Sequence, residues 1–235
     1  MEHRAPALLL LIASLAFAAA PFLVPSFSGY DPAAFPHPID EVPLQPVGWA
    51  FAIWGVIYAW LVVHAGYGAV HRPEDPAWAL PRVPLGFALV LGAFWLPAAQ
   101  TAPLAATAMI WAMAALATLA LCRTRAAPDG WLLRAPIALF AGWLTAATAV
   151  ASATVLTGFG LLPPLGAALL MLVAALVAAL LVLRRTGSAV YAGGVLWALA
   201  GVVVENLDQN LPMLVATLLG GALLADRTQR RVTPG

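Results

Sequence analysis

At 235 residues, 63% of them hydrophobic and only 9% charged, this chain has too little polar surface to cover a water-soluble globule, in which roughly a quarter of residues are charged. The mean hydropathy of +0.93 points instead to an all-α polytopic membrane bundle, a single membrane domain over 1–235 in which spans of about 20 residues use up nearly the whole length. The formal net charge of +1 is silent about nucleic acid, but the placement of the charges is informative.

Apolar runs fall at 6–24, 46–70, 83–100, 103–122, 131–157, 162–183, 188–204 and 211–225, separated by Pro, Gly or charge. Hydropathy alone leaves seven or eight spans open, because only Gln100-Thr101-Ala102-Pro103 divides the stretch 83–122. Arginine decides between them. All eleven basic side chains are arginine, at Arg4; Arg72 and Arg82; Arg123, Arg125 and Arg134; Arg184 and Arg185; and Arg227, Arg230 and Arg231. Eight spans make nine hydrophilic segments, and these five groups occupy the first, third, fifth, seventh and ninth of them. The positive-inside rule then predicts eight spans with both termini cytoplasmic, ending in a cytoplasmic tail over 226–235.

The first run follows Met1-Glu2-His3-Arg4 and ends near Ala18-Ala19-Ala20, so a cleavable signal peptide is the alternative to the retained first span expected here. Next comes a proline-rich outer loop over 25–45. It holds Pro25, Pro32, Pro36, Pro38 and Pro43 with Asp31, Asp40 and Glu41 and no basic residue, and so disfavours a regular helix. The second run opens Pro46-Val47-Gly48-Trp49-Ala50-Phe51-Ala52-Ile53-Trp54 and reaches Tyr58 and Trp60. At 100° per residue, Phe51, Trp54 and Tyr58 share one helix face, with Trp49, Ile53, Trp60 and His64 on roughly the opposite one. An interfacial aromatic belt accounts for Trp49. Trp54 and Tyr58 lie deeper, where a ligand-facing wall is the competing explanation. His64 is open between a haem ligand, a side chain reaching for the inner headgroups and a hydrogen bond to a neighbouring helix.

Between the last two runs, Glu205-Asn206-Leu207-Asp208-Gln209-Asn210 is either a solvated turn or an ion or substrate gate at Glu205 and Asp208. Metalloprotease, nucleophile-elbow and Walker patterns are missing from the sequence, as are clustered cysteines. Neither an enzyme nor a catalytic or metal site is expected.

The run Pro46-x-Gly48-Trp49-x-Phe51-x-Ile53-Trp54-x-x-Ile57-Tyr58 resembles the signature of the tryptophan-rich sensory protein, or TspO/MBR (translocator protein), family, in particular its longer bacterial relatives. Phe94-Trp95-Leu96-Pro97, Pro136 with Gly142-Trp143-Leu144-Thr145-Ala146-Ala147, and Tyr191 with Leu196-Trp197-Ala198-Leu199-Ala200-Gly201 are weaker echoes in the same order. The five-helix resemblance covers roughly 46–157. At two positions where the family usually carries asparagine, this chain has Gly92-Ala93-Phe94 and Ala151. The resemblance implies an aromatic-lined pocket for flat, largely apolar ligands such as tetrapyrroles, with a role as sensor or carrier in a bacterial inner (plasma) membrane. Trp49, Phe51, Trp54, Tyr58, Trp95, Trp143, Thr145 and Trp197 are the expected ligand-binding residues. Their polar handles would be the Tyr58 hydroxyl, the indole N–H groups of Trp54, Trp95 and Trp143, and Thr145 or Thr148. No cofactor is required on this view, although a tetrapyrrole or lipid could be bound. The expected partners are the bilayer and a hydrophobic small molecule, not nucleic acid, with a homodimer left open. The alternative is a small secondary transporter with an acidic outer gate at Glu205 and Asp208. A subunit that stabilises a partner is a third.

Overall fold

The computed structural model describes residues 4–24, 29–39, 42–124 and 129–232; Pro25, Asp40, Glu41 and Arg125, and the Met1-Glu2-His3 start, lie outside them. Eight α-helices follow one another: α1 (Arg4–Leu23), α2 (Ile53–His71), α3 (Pro76–Thr101), α4 (Pro103–Arg123), α5 (Gly130–Gly158), α6 (Pro164–Thr186), α7 (Ala189–Glu205) and α8 (Leu211–Val232). Among the described residues no strand forms. Seven of these segments are long and apolar enough to cross a bilayer, with α2 counted together with the 3₁₀ turn Gly48–Ala52 before it. The eighth, α7, is apolar but has 17 residues, or about 25 Å of helix against a hydrocarbon core of about 30 Å.

Burial is arranged as a bilayer requires. On α1, the buried residues Ala7, Leu10, Ala13, Ser14 and Phe17 recur every three or four positions, while Leu8, Leu9, Ile12 and Leu15 are exposed. The outward face of the helix is bulky and apolar, the reverse of a water-soluble surface. The protein is therefore a multi-pass, all-α membrane protein.

Local chemistry sets the helix ends. Thr101 ends α3 and Pro103 starts α4, with Ala102 between them, so the Gln100–Pro103 break does separate two spans. The start of α3 differs from the hydropathy pattern by seven residues. Asp75 caps it by accepting from the Ala77 N–H at 2.9 Å, with Pro76 in the first turn, a polar start that hydropathy cannot register. Arg82 consequently sits inside α3 rather than in the loop. It is 4% exposed, and its guanidinium donates to the carbonyls of Arg72 and Pro73 at 2.5 and 2.7 Å, capping the end of α2. At the other extreme, α8 runs through Asp226 to Val232, so most of the 226–235 tail is helical. In the outer loop, Asp31 caps a short 3₁₀ turn at Pro32–Ala34.

The helices fall into two compact units, one comprising Met1–Ser28 with Ile53–Ala141 and the other Gly29–Ala52 with Gly142–Gly235. In the first, α1 packs on α2 and α3, and α3 on α4. In the second, α8 packs on α6 and α7, and the Gly48–Ala52 turn packs on α7. The polypeptide of α5 belongs to the first unit up to Ala141 and to the second from Gly142. Neither unit coincides with the 46–157 stretch.

Candidate ligand-binding site

In the first unit, one helical turn places Trp54 and Tyr58 in register. Their rings stack with centroids 5.4 Å apart and planes 17° from parallel. Both are half-buried. Phe17 of α1 meets the pair edge-on, 4.9 Å from Tyr58 and 6.0 Å from Trp54. Phe140 of α5 lies 5.5 Å from Phe17 and 6.4 Å from Trp54. Such edge-to-face pairs set positive ring edges against negative faces. Phe17 belongs to the first apolar run and escapes sequence inspection, yet it covers part of the expected wall.

Phe17 also packs closely against Gly92 of α3. A Cβ at Gly92 would come within 2.4 Å of Phe17 Cε2, far inside van der Waals contact. Any side chain at position 92 would require Phe17 to move.

The Trp95 indole N–H donates to the Ala106 carbonyl at 2.9 Å, tying α3 to α4. His64 is buried, hydrogen-bonds through Nδ1 to the Leu132 carbonyl at 2.8 Å and stacks on Trp78 at 5.1 Å. A carbonyl only accepts, so Nδ1 carries the proton. Of the three options for His64, the bond to a neighbouring helix is the one realised. Where α2 ends and α5 begins, Arg72 Nε donates to Asp129 Oδ2 at 2.7 Å. The Arg72 guanidinium holds the Asp129 carboxyl below its ordinary value of 3.8, and the hydrogen bond to Asp129 raises Arg72 in turn.

In the second unit, Phe51 meets Trp143 edge-on at 5.8 Å, with Trp143 buried. Thr145 shares a 2.8 Å hydrogen bond with the hydroxyl of the fully buried Tyr191. Beside them Gly142 lets two backbones touch, because a Cβ there would sit 2.2 Å from the Tyr191 carbonyl oxygen. Thr148 donates within its own helix to Leu144. Trp197 donates its indole N–H to the Ala50 carbonyl at 2.8 Å and takes Trp49 edge-on at 5.2 Å. It thereby anchors the Gly48–Ala52 turn, while Val47 N–H bonds the Gly201 carbonyl at 3.2 Å.

A cavity of about 20 Å³ lies among Leu44, Ala149, Val150, Leu176, Val195 and Val202. That is room for about one water-sized group, not for a planar macrocycle.

The acidic stretch forms a turn. Asp208 is exposed and Glu205 half-buried, whereas the buried Asn206 donates to the carbonyls of Pro43 and Val202, each at 2.8 Å. Asn206 therefore ties this turn to the outer loop. Among the described residues no group of three or more His, Cys, Asp or Glu side chains could hold a metal ion.

The sequence pattern of the TSPO-like protein family matches residues 7–226. The chain belongs to the TSPO-like protein family. The match extends from α1 into α8, so the four helices outside 46–157 (α1, α6, α7 and α8) lie within the family's own extent. No curated protein and no solved structure matches this TSPO-like chain.

Proposed function

We propose that this TSPO-like protein binds flat, largely apolar ligands of the tetrapyrrole kind, without catalysing a reaction, and acts as a sensor or carrier in a bacterial inner membrane. The supporting observation is the half-buried Trp54–Tyr58 stack on α2. It offers a π-surface several ångströms long inside an apolar span, where an offset planar ligand gains dispersion and quadrupole attraction. Phe17 now makes that contact, its ring nearly perpendicular to both. An incoming ligand would displace this edge, so affinity is set by the difference between the two contacts. The Tyr58 hydroxyl, half-buried with its ring, is the polar handle that orients the ligand.

Titration with protoporphyrin, followed by tryptophan quenching and by the ligand's own absorbance, tests the proposal on wild type, Trp54→Ala and Trp143→Ala. The expected outcome is affinity about tenfold weaker in Trp54→Ala, equivalent to about 1.4 kcal/mol, and little changed in Trp143→Ala. Equal affinity in all three proteins removes the Trp54–Tyr58 face from consideration. Equal weakening by both substitutions extends the site to Trp143.

A further inference from the structure

In the second unit, α6 ends in Arg184 and Arg185, and α8 carries Arg227, Arg230 and Arg231 in its last turns. All five arginines are exposed. On α8 the three fall within about 100° of one another around the helix. Their face adjoins the end of α6, because Arg231 donates to the Arg184 carbonyl at 3.2 Å. Five cations therefore gather at one end of this unit. The nearest carboxylate along α8 is Asp226, held by Arg230 at 2.9 and 3.0 Å and approached by Arg227 at 3.8 Å. One negative charge against five leaves the patch strongly positive.

Its depth in the bilayer follows from the chain. Residues 211–225 contain no charge, about 22 Å of helix, and the arginines begin directly after Asp226. They stand where the hydrocarbon ends and the headgroups begin. By the positive-inside rule this is the cytoplasmic leaflet, whose lipids include anionic ones. The acidic turn at Glu205 and Asp208 lies at the far end of α7, about 25 Å of helix away from Ala189, so it cannot neutralise the patch.

We propose that the arginine cluster formed by the ends of α6 and α8 is a binding site for the phosphodiester headgroup of an anionic phospholipid. Arginine suits this partner. Its guanidinium donates two parallel N–H groups to phosphate oxygens, and its aliphatic stem lies along the apolar helix while the charge stays at headgroup level. Each cation near an anionic surface contributes about fivefold in affinity. A bound headgroup would bridge α6 and α8 and hold the last turn of α8 in place.

The test uses the full chain, stripped of lipid in neutral detergent and offered equal amounts of phosphatidylglycerol and phosphatidylcholine, with retained lipid counted by native mass spectrometry. Wild type should retain phosphatidylglycerol about tenfold over phosphatidylcholine. A quadruple Gln variant (R184Q, R185Q, R227Q and R231Q) should lose that preference. The matching Lys variant should keep most of it, and Arg4→Gln, in the other unit, should keep all of it. For wild type the preference should fade at about 1 M salt, where screening reaches within about 3 Å, so the proposal stays testable if the Gln variant does not fold. An undiminished preference in the Gln variant or at high salt overturns the site. Complete displacement of phosphatidylglycerol by inorganic phosphate at lipid-equivalent concentration would show a small-anion site and also overturn it.

Discussion

The two units treat the same residue types differently. In the second, aromatic and hydroxyl groups are bound into the scaffold: Trp197 to the Ala50 carbonyl, Tyr191 to Thr145, and Gly142 against the Tyr191 backbone. In the first, Trp95 and His64 are bound to the Ala106 and Leu132 carbonyls, but the wall formed by Trp54 and Tyr58 meets other rings by stacking and near-perpendicular contacts. Charge is divided the other way. In the first unit Arg4 meets Glu74 at 3.6 Å, Arg72 meets Asp129 and carbonyls cover Arg82, with Arg123 and Arg134 on α4 and α5 besides. The second leaves a surplus of cations at one end. Hydrogen bonds are directional and fix geometry, whereas ring contacts tolerate exchange of one ring for another. The contrast assigns rigidity to the second unit's aromatic contacts and exchangeability to the first unit's stack.

Substitutions that strike each unit at its own contacts sharpen that contrast. The largest effect is expected from Gly142→Leu. Backbone cannot yield as a side chain can, so the loss of stability should exceed the usual 1–3 kcal/mol of overpacking. Gly193→Ala on α7, with nothing within 4 Å of its added Cβ, should be neutral or slightly stabilising. Thermal unfolding in detergent, monitored by circular dichroism, compares the two; similar midpoints would break the assignment of rigidity.

Next comes Phe17→Ala, expected to cost about 3 kcal/mol, the low end for a buried phenylalanine because lipid rather than water is the surroundings. Gly92→Asn should be severely destabilising alone but tolerated in the Phe17→Ala background. The coupling in a double-mutant cycle should be about 1–3 kcal/mol. Additive effects would mean that Phe17 does not fill the space beside Gly92.

Trp197→Phe removes one hydrogen bond to the Ala50 carbonyl and should cost about 1 kcal/mol without changing ligand affinity. The smallest effect concerns Asp129. Its carboxyl is depressed below 3.8 by Arg72, so its contribution is complete above that value and is lost only as pH falls through the lower folded-state value. Unfolding midpoints of wild type and Arg72→Gln should therefore differ at neutral pH and converge below pH 3.8. A difference that persists in strong acid would contradict this.

Much of the fold is legible in the sequence because a bilayer imposes simple rules. The arginine groups order the spans, and the Pro103 break survives in the structure. The Trp54–Tyr58 face follows from 100° periodicity alone. What escapes is whatever depends on tertiary partners. The Asp75 cap and the burial of Arg82 on loop carbonyls move the start of α3 outward against its hydropathy. Periodicity can assign Trp95, Thr145 and Trp197 to helix faces, but not show that their donors are already engaged with Ala106, Tyr191 and Ala50. Phe17 is the clearest case. Its partners lie on α2 and α5, and the pattern of its own helix cannot reveal them.

The most direct measurement is the affinity for protoporphyrin of Phe17→Ala beside that of wild type and Trp54→Ala. If Phe17 competes for the Trp54–Tyr58 face, removing its ring raises affinity by about tenfold, the value of one lost aromatic contact, while Trp54→Ala lowers it. Weaker binding in Phe17→Ala with its fold intact, or unchanged binding in both variants, would contradict an exchangeable aromatic face on α2.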